Sequence, residues 1–233
     1  MTEGASRPIG ERWRSGVGIA RSLAIYYGNP TRRWRMDRLY SHFVRQGDLV
    51  FDIGSHVGDR IGSFRRLGCR VVAVEPQPRL VRILRRFYGR DSDVIVEPVA
   101  VSAVPGSIEL FVNLDNASLT TASSSFVAAA SRAPGWCRER WPGRLVAPSI
   151  TLDHLIERHG EPTFVKIDIE GFEAEALAGL SQPLEAFSFE FTTILRRVAM
   201  DCVTRCQALG TYRFNAAMGE TQRLAFTQWL EAE

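Results

Sequence analysis

Lysine is nearly absent from this chain. Lys166 stands alone among 29 basic residues, the rest being arginine. That bias fits a GC-rich coding sequence or a demand for always-charged guanidinium groups. Cysteine is scarce. The four residues Cys69, Cys137, Cys202 and Cys206 form no CxxC pair and no Cys/His cluster at zinc spacing. A zinc ribbon or finger is thereby excluded, and reduced thiols are expected. No apolar run reaches the roughly 18 residues of a membrane span. The N-terminus shows no signal-peptide core. The expected location is therefore the cytoplasm, where the sequon at Asn116 has no use. A G-x-G-x-x-G fingerprint is missing, which speaks against a nicotinamide-dependent oxidoreductase. No (D/N)PP(Y/F) motif follows the fourth strand, which disfavours methylation of base amino groups.

What is present is a basic arm followed by an α/β rhythm. The net charge is only +3, but residues 1–45 hold nine arginines against Glu3, Glu11 and Asp37. Such a surplus suits a solvated helical face. It equally suits an arm that touches nucleic acid, an anionic membrane or an acidic partner. Two short helices are expected in this arm (residues 1–46), one ending at the Gly28-Asn29-Pro30 stop and one carrying Trp34, Leu39, Phe43 and Val44. From Gly47 onward strands and helices alternate. "DLVFDIG" is short, apolar and bounded by turn residues, as expected of a strand buried on both faces. "CRVVAVEP", "SDVIVEPVAV", "TFVKIDIEG" and "AFSFEF" repeat that signal, with amphipathic helices between them. A stripe of Leu195, Val198, Cys202, Cys206 and Leu209 marks a long helix. "TYRFNAAMGETQRLAF" predicts a terminal antiparallel hairpin added at one sheet edge. The fold class is α/β, a Rossmann-like, mostly parallel central sheet with helices on both faces. Residues 47–233 form one domain. Residues 115–148 break the rhythm and predict a partly helical lid or substrate-facing insertion.

In such sheets ligands lie outside the carboxyl ends of the strands, where the strand order reverses. The predicted strand ends offer Asp52, Gly54, Ser55, His56 and Gly58 first, then Glu75, then Glu97 through Ser102, then Asp168 and Glu170, then Glu190. The first loop reads D-x-G-x-x-x-G, with an acid where a pyrophosphate would be repelled. That acid suits a ligand bearing an amino group and a sulfonium charge. Glu75, 23 residues later, suits the two hydroxyls of a ribose, the role an acid takes in dinucleotide folds. These features point to S-adenosylmethionine.

The segments "VFDIGSHVGDR", "VVAVEPQP", "EPVAVSAVPGSIELFV", "ITLDHLI" and "FVKIDIEGFEAEALAGL" together resemble the FkbM family of class I S-adenosylmethionine-dependent methyltransferases. The resemblance covers roughly Asp48 to Leu180. It implies that Asp52, Gly54, Ser55 and Gly58 wrap the methionine part of the cofactor and that Glu75 binds its ribose. It further implies that Val99, Ala100 and Val101 flank the adenine and that Asp168 stands near the methyl donor. His56 departs from the asparagine that many members carry. Hydroxyls of sugars, glycolipids or polyketides are the implied acceptors.

Methylation of an alcohol calls for alignment and for a base. Asp168 and His56 are the first candidates. Glu170 and Glu190 are substrate-side candidates, with a helix-start acid and a buried ion pair as their structural alternatives. Trp136 and Trp141 either stack on a sugar face or anchor the long loop to the core. No metal and no nucleic acid is expected, and homo-oligomerisation is left open. The other function classes in play are a nicotinamide oxidoreductase on a related fold and a non-catalytic cofactor-binding module.

Overall fold

The structure is a computed structural model and describes residues 28–232. The first of the two helices expected in the arm lies outside the described residues. The second is α1, Pro30–Tyr40. Asn29 caps it, its side chain accepting from the Thr31 and Arg32 amides at 3.0 and 3.2 Å, with Pro30 preset for the first turn. There follow β1 (Leu49–Ile53), α2 (Asp59–Arg66), β2 (Arg70–Val74), α3 (Pro78–Tyr88) and β3 (Val94–Glu97). Next come β4 (Ala100–Val101), β5 (Gly106–Val112), α4 (Ser124–Ala130) and β6 (Gly143–Ile150). The chain continues as α5 (Leu152–His159), β7 (Phe164–Ile167), α6 (Glu173–Ala178), β8 (Ala186–Phe189) and α7 (Arg196–Leu209).

Five strands form a wholly parallel sheet in the order β3-β2-β1-β7-β8. The order reverses between β1 and β7, which makes their carboxyl ends the place where a ligand fits. Side chains alternate across this sheet. Phe51, Ile53, Val72, Val165 and Ile167 pack on one face against Leu152, Leu155, Leu177 and Cys202. Val50, Val71, Ala73 and Phe164 pack on the other against Met36, Tyr40, Ile61, Phe64 and Leu84. α1 therefore belongs to the core. Its Tyr40 ring lies 4.4 Å from Phe64 and 5.8 Å from Phe164. Cys202 and Cys206 are buried on the stripe expected of α7, whereas Leu195, just before the helix, packs beside Phe126 and Trp141 instead. Among the described residues no helix is long and apolar enough to cross a membrane.

Three expectations change. The strand read as "SDVIVEPVAV", with Pro98 as its interruption, is two, and after Pro98 β4 leaves for a second sheet ordered β4-β6-β5. The expected insertion over 115–148 is not all lid. Its last residues begin β6, which pairs with β5 from Gly106↔Ser149 to Val112↔Gly143. The terminal hairpin folds back through two isolated antiparallel bridges, Phe214↔Leu230 and Ala217↔Leu224. Among the described residues it adds no strand to the parallel sheet, which ends at β8.

Gly58 has a packing reason. It holds φ +84°, and a Cβ there would stand 2.7 Å from the Tyr88 ring and 2.9 Å from Leu84. Gly58→Ala is expected to destabilise the fold by about 1–3 kcal/mol. A urea titration at constant slope checks this; an unchanged midpoint would show that α3 can move aside.

Candidate functional site

At the end of β1 the chain turns through Gly54, φ +81°. A Cβ here would lie only 1.9 Å from the Asp168 carbonyl oxygen, so only glycine lets the ends of β1 and β7 touch. The Ser55 hydroxyl donates to the Asp52 carbonyl at 2.7 Å and fixes the turn. His56 takes φ +50°, and its amide donates to Glu75 Oε2 at 3.0 Å. The Gln77 amide donates to the other oxygen, Oε1, at 2.8 Å. Glu75 thus straps the β1 loop to the β2 loop. Burial pushes its carboxyl up to about 7, even though those two amides favour the charged form.

At the end of β7 the single lysine meets an acid. Lys166 Nζ lies 2.6 Å from Asp168 Oδ2. Burial opposes both charges, but each partner sustains the other: Asp168 is held well below the usual carboxylate range and Lys166 above the usual amine range. Glu190 follows β8 and hydrogen-bonds Asp168. The charge of Asp168, then burial, pushes Glu190 up to about 8. Glu170, in the left-handed region at φ +56°, is raised by burial and then by Asp168 and Glu190. Glu173, a residue the sequence reading did not single out, holds that turn. Its Oε1 accepts from the Ile169 amide at 3.0 Å and the Gly171 amide at 3.2 Å. Its only sequence signal is an acid placed three residues after Glu170.

Asp52 faces Lys166 across the β1–β7 register. It is fully buried, and neither side-chain oxygen has a hydrogen-bond partner. Burial pushes it up to about 6, with Lys166 opposing. Burial also draws His56 down to about 4, so its ring is neutral at pH 7.

Two clefts open at this edge. An apolar one of about 570 Å³ is lined by Val74, Glu75, Val99, Ala100, Val101 and Phe172, among others. A polar one of about 510 Å³ is lined by Asp52, Ser55, Arg60, Lys166, Glu170 and Glu190, among others. Gly54, His56, Ser118 and Asp168 line both. Ten of the sequence-chosen residues therefore meet here with Asp168, while three do not. Gly58 lines neither cleft. Trp136 and Trp141 stand edge-on to Phe126, ring centroids 5.6 and 5.9 Å away, and anchor the loop. The Trp141 indole N–H donates to the Leu119 carbonyl at 2.6 Å. The loop reaches the apolar cleft through small residues instead, Ala117, Ser118, Thr120 and Thr121. The Thr121 hydroxyl donates to the Glu170 carbonyl at 2.8 Å.

A sequence model of the FkbM methyltransferase domain matches residues 52–209. The chain belongs to the FkbM methyltransferase family. It is 26% identical over 172 residues to the hexuronic acid methyltransferase AglP of Haloferax volcanii, a match covering 72% of this chain and 64% of that protein. The matched part of the chain thus spans less than two thirds of the length of that relative. It is also similar to a solved TehB-like SAM-dependent methyltransferase from Corynebacterium glutamicum, with 13% identity, 96% of each chain covered and a TM-score of 0.49.

In this member of the family a clamp from outside the matched segment reaches the polar cleft. Arg32 Nη1 lies 2.8 Å from Asp59 Oδ2, and Arg32 Nη2 lies 2.7 Å from Glu220 Oε2. Arg60 Nη1 shares Asp59 at 2.6 Å. Asp59, Arg60 and Glu220 all line the cleft. One arginine of the basic arm is therefore an internal structural cation, and no local pattern links residues 188 positions apart.

The Asp52 charge has a stability consequence. Its folded pKa of about 6 exceeds the unfolded value of about 4, so folding is penalised above that window and not below it. Asp52→Asn is expected to be more stable than wild type at pH 8, on the order of 3 kcal/mol. The gain should fade as the pH falls through 6 toward 4. Thermal unfolding across this range checks it; a pH-independent difference would show that Asp52 is not charged alone.

Proposed function

We propose that this FkbM methyltransferase transfers a methyl group from S-adenosylmethionine to a hydroxyl oxygen of a sugar-like acceptor. The observation that carries the reading is the junction of two unlike clefts at Gly54, His56, Ser118 and Asp168. The chemistry of the lining fits the two ends of that cofactor. Glu75 keeps lone pairs beyond the two amides it accepts, which suits ribose hydroxyls, and Val99, Ala100 and Val101 offer an apolar wall to adenine. The unpartnered oxygens of Asp52 suit an amino group, with Gly54 and Ser55 beside it. When bound, the cofactor supplies an electrophilic sulfonium methyl. The hexuronic acid acceptor in the name of the Haloferax volcanii relative supports the sugar class.

The chain's own residues then align and deprotonate the acceptor. Asp168, kept ionised by Lys166, accepts a hydrogen bond from the acceptor hydroxyl and orients it. The same low basicity makes Asp168 a poor proton acceptor. Glu190 beside it is the better base, because the charge of Asp168 raises its proton affinity. The neutral His56 ring at the junction positions the acceptor from the other side. Holding both partners in line can supply several kcal/mol of the barrier.

S-adenosylhomocysteine is expected to raise the melting temperature and NAD to leave it unchanged, with Glu75→Ala weakening the former at least about tenfold. A shift with NAD alone would return the oxidoreductase reading. Methyl transfer followed with a labelled donor is expected to rise with pH through neutrality as Glu190 loses its proton. Glu190→Gln should lower the rate about 10²–10⁴-fold and flatten that rise. An unaltered pH profile in the variant would assign the base elsewhere.

A further inference from the structure

The terminal hairpin lies along α1. Its turn holds Glu220, 2.7 Å from Arg32 near the N-terminal end of that helix. Its far end carries Trp229, whose ring stands edge-on to Phe43 just past α1, centroids 6.0 Å apart. Helix and hairpin together show apolar side chains to solvent. Trp34 on α1, with Met218, Phe226, Trp229 and Leu230 on the hairpin, are each between 41% and 70% exposed. Exposed apolar residues scattered singly are ordinary, but here they cluster on two segments joined at both ends, and such a patch marks an interaction surface. Arginines are set among them. Arg33 and Arg38 of α1 and Arg223 of the hairpin are exposed, and among the described residues none of the three sits in an ion pair. The Arg38 guanidinium lies over the Trp34 ring, 5.5 Å from its centroid. The neighbouring acids are already used, Asp37 by Arg66 at 2.6 Å and Glu220 by Arg32. Glu231 is exposed and offsets one charge. The patch is therefore both apolar and cationic.

That combination selects the occupant. A second copy would bring this same patch against itself across a two-fold axis, arginine facing arginine. A nucleic acid would answer the arginines but set Met218 and Leu230 against phosphate and sugar, where they gain nothing. An anionic lipid surface answers both. Its headgroup phosphates take the guanidinium groups, and the boundary beneath them takes tryptophan and aliphatic side chains. We infer that α1 and the terminal hairpin form a docking surface for an anionic lipid membrane, on which the protein rests without crossing it. The inference goes beyond methyl transfer and stands independently of it. Because Glu220 belongs to the same hairpin and lines the polar cleft, docking sets the lip of that cleft beside the lipid headgroups. Each arginine brought to such a surface strengthens attachment about fivefold, and the contribution fades with salt.

Flotation of the full-length protein with two vesicle preparations tests this. One is phosphatidylcholine alone; the other is three parts phosphatidylcholine to one part phosphatidylglycerol. The protein is expected to float with the anionic vesicles at least about tenfold more strongly than with the neutral ones, and the gap to close in high salt. Arg33→Gln/Arg38→Gln should weaken anionic binding at least about tenfold and flatten its salt dependence. Trp34→Ser and Met218→Ser should each weaken it severalfold at every salt concentration. All four side chains are exposed, and an unchanged melting temperature shows that each variant folds; should one fail, the remaining variants and the salt dependence still decide. Equal binding to both vesicle types, binding to neither, or anionic binding that survives every substitution overturns the inference. A duplex oligonucleotide that binds more tightly than the vesicles, through the arginines but without Trp34, would replace lipid with nucleic acid. A dimer in sedimentation that Trp34→Ser dissolves would replace it with a second copy.

Discussion

The pairing of Lys166 with Asp168 governs the rest of the site. Lys166 is buried in β7, beside the central strand β1, opposite Asp52 and two residues before Asp168. Its ammonium keeps Asp168 ionised and tempers the cost of burying Asp52. Without it, carboxylates on three adjacent strand ends would confront one another in a poorly solvated place, and removal of one partner from such a pair is strongly destabilising. The chain's one departure from arginine falls at this position. A compact ammonium on a flexible stem concentrates its charge on one carboxylate within a strand, where a planar guanidinium would need a fork of acceptors.

From that pair the geometry follows outward. β1 and β7 can end side by side because Gly54 presents no side chain to the Asp168 carbonyl. The turn after Asp168 is held by Glu173 from within and by Thr121 from the loop above. Glu75 then ties the β1 loop to the β2 loop, so the wall between the clefts is hydrogen-bonded on both sides. Neighbouring groups with opposed proton affinities, Asp168 low and Glu190 high, are what acid–base chemistry at neutral pH requires.

Much of the fold was legible because its signals are local. The five parallel strands are short apolar runs ended by acids or glycines, and the helices between them carry one apolar stripe each. The acids at strand ends could be chosen because the topology says which end binds. What escaped depends on distance or on ambiguity. β6 hid in a Ser-, Ala- and Pro-rich stretch, because its alternation is masked by Pro148 and by the surrounding small residues. Trp136 and Trp141 read equally as sugar platforms or as anchors, and only packing on Phe126 distinguishes the two. Gly58 was read as ligand-facing from its spacing, whereas the Tyr88 ring thirty residues on explains it. Glu173 looked like an ordinary acid in the first turn of a helix, a place acids favour for the dipole alone.

The Arg32–Asp59–Glu220 clamp bears on how this protein could be cut down. Residues 52–209 contain the five-stranded sheet apart from the first residues of β1, yet they omit both Arg32 and Glu220. A fragment bounded in that way would expose the faces of Ile61 and Phe64 that Tyr40 covers. It would also leave Asp59 and Arg60 to rearrange at the lip of the polar cleft. Two segments far apart in the chain, each unremarkable alone, thus hem the polar cleft, and a fragment that keeps this lip intact reaches from α1 to the tail beyond α7.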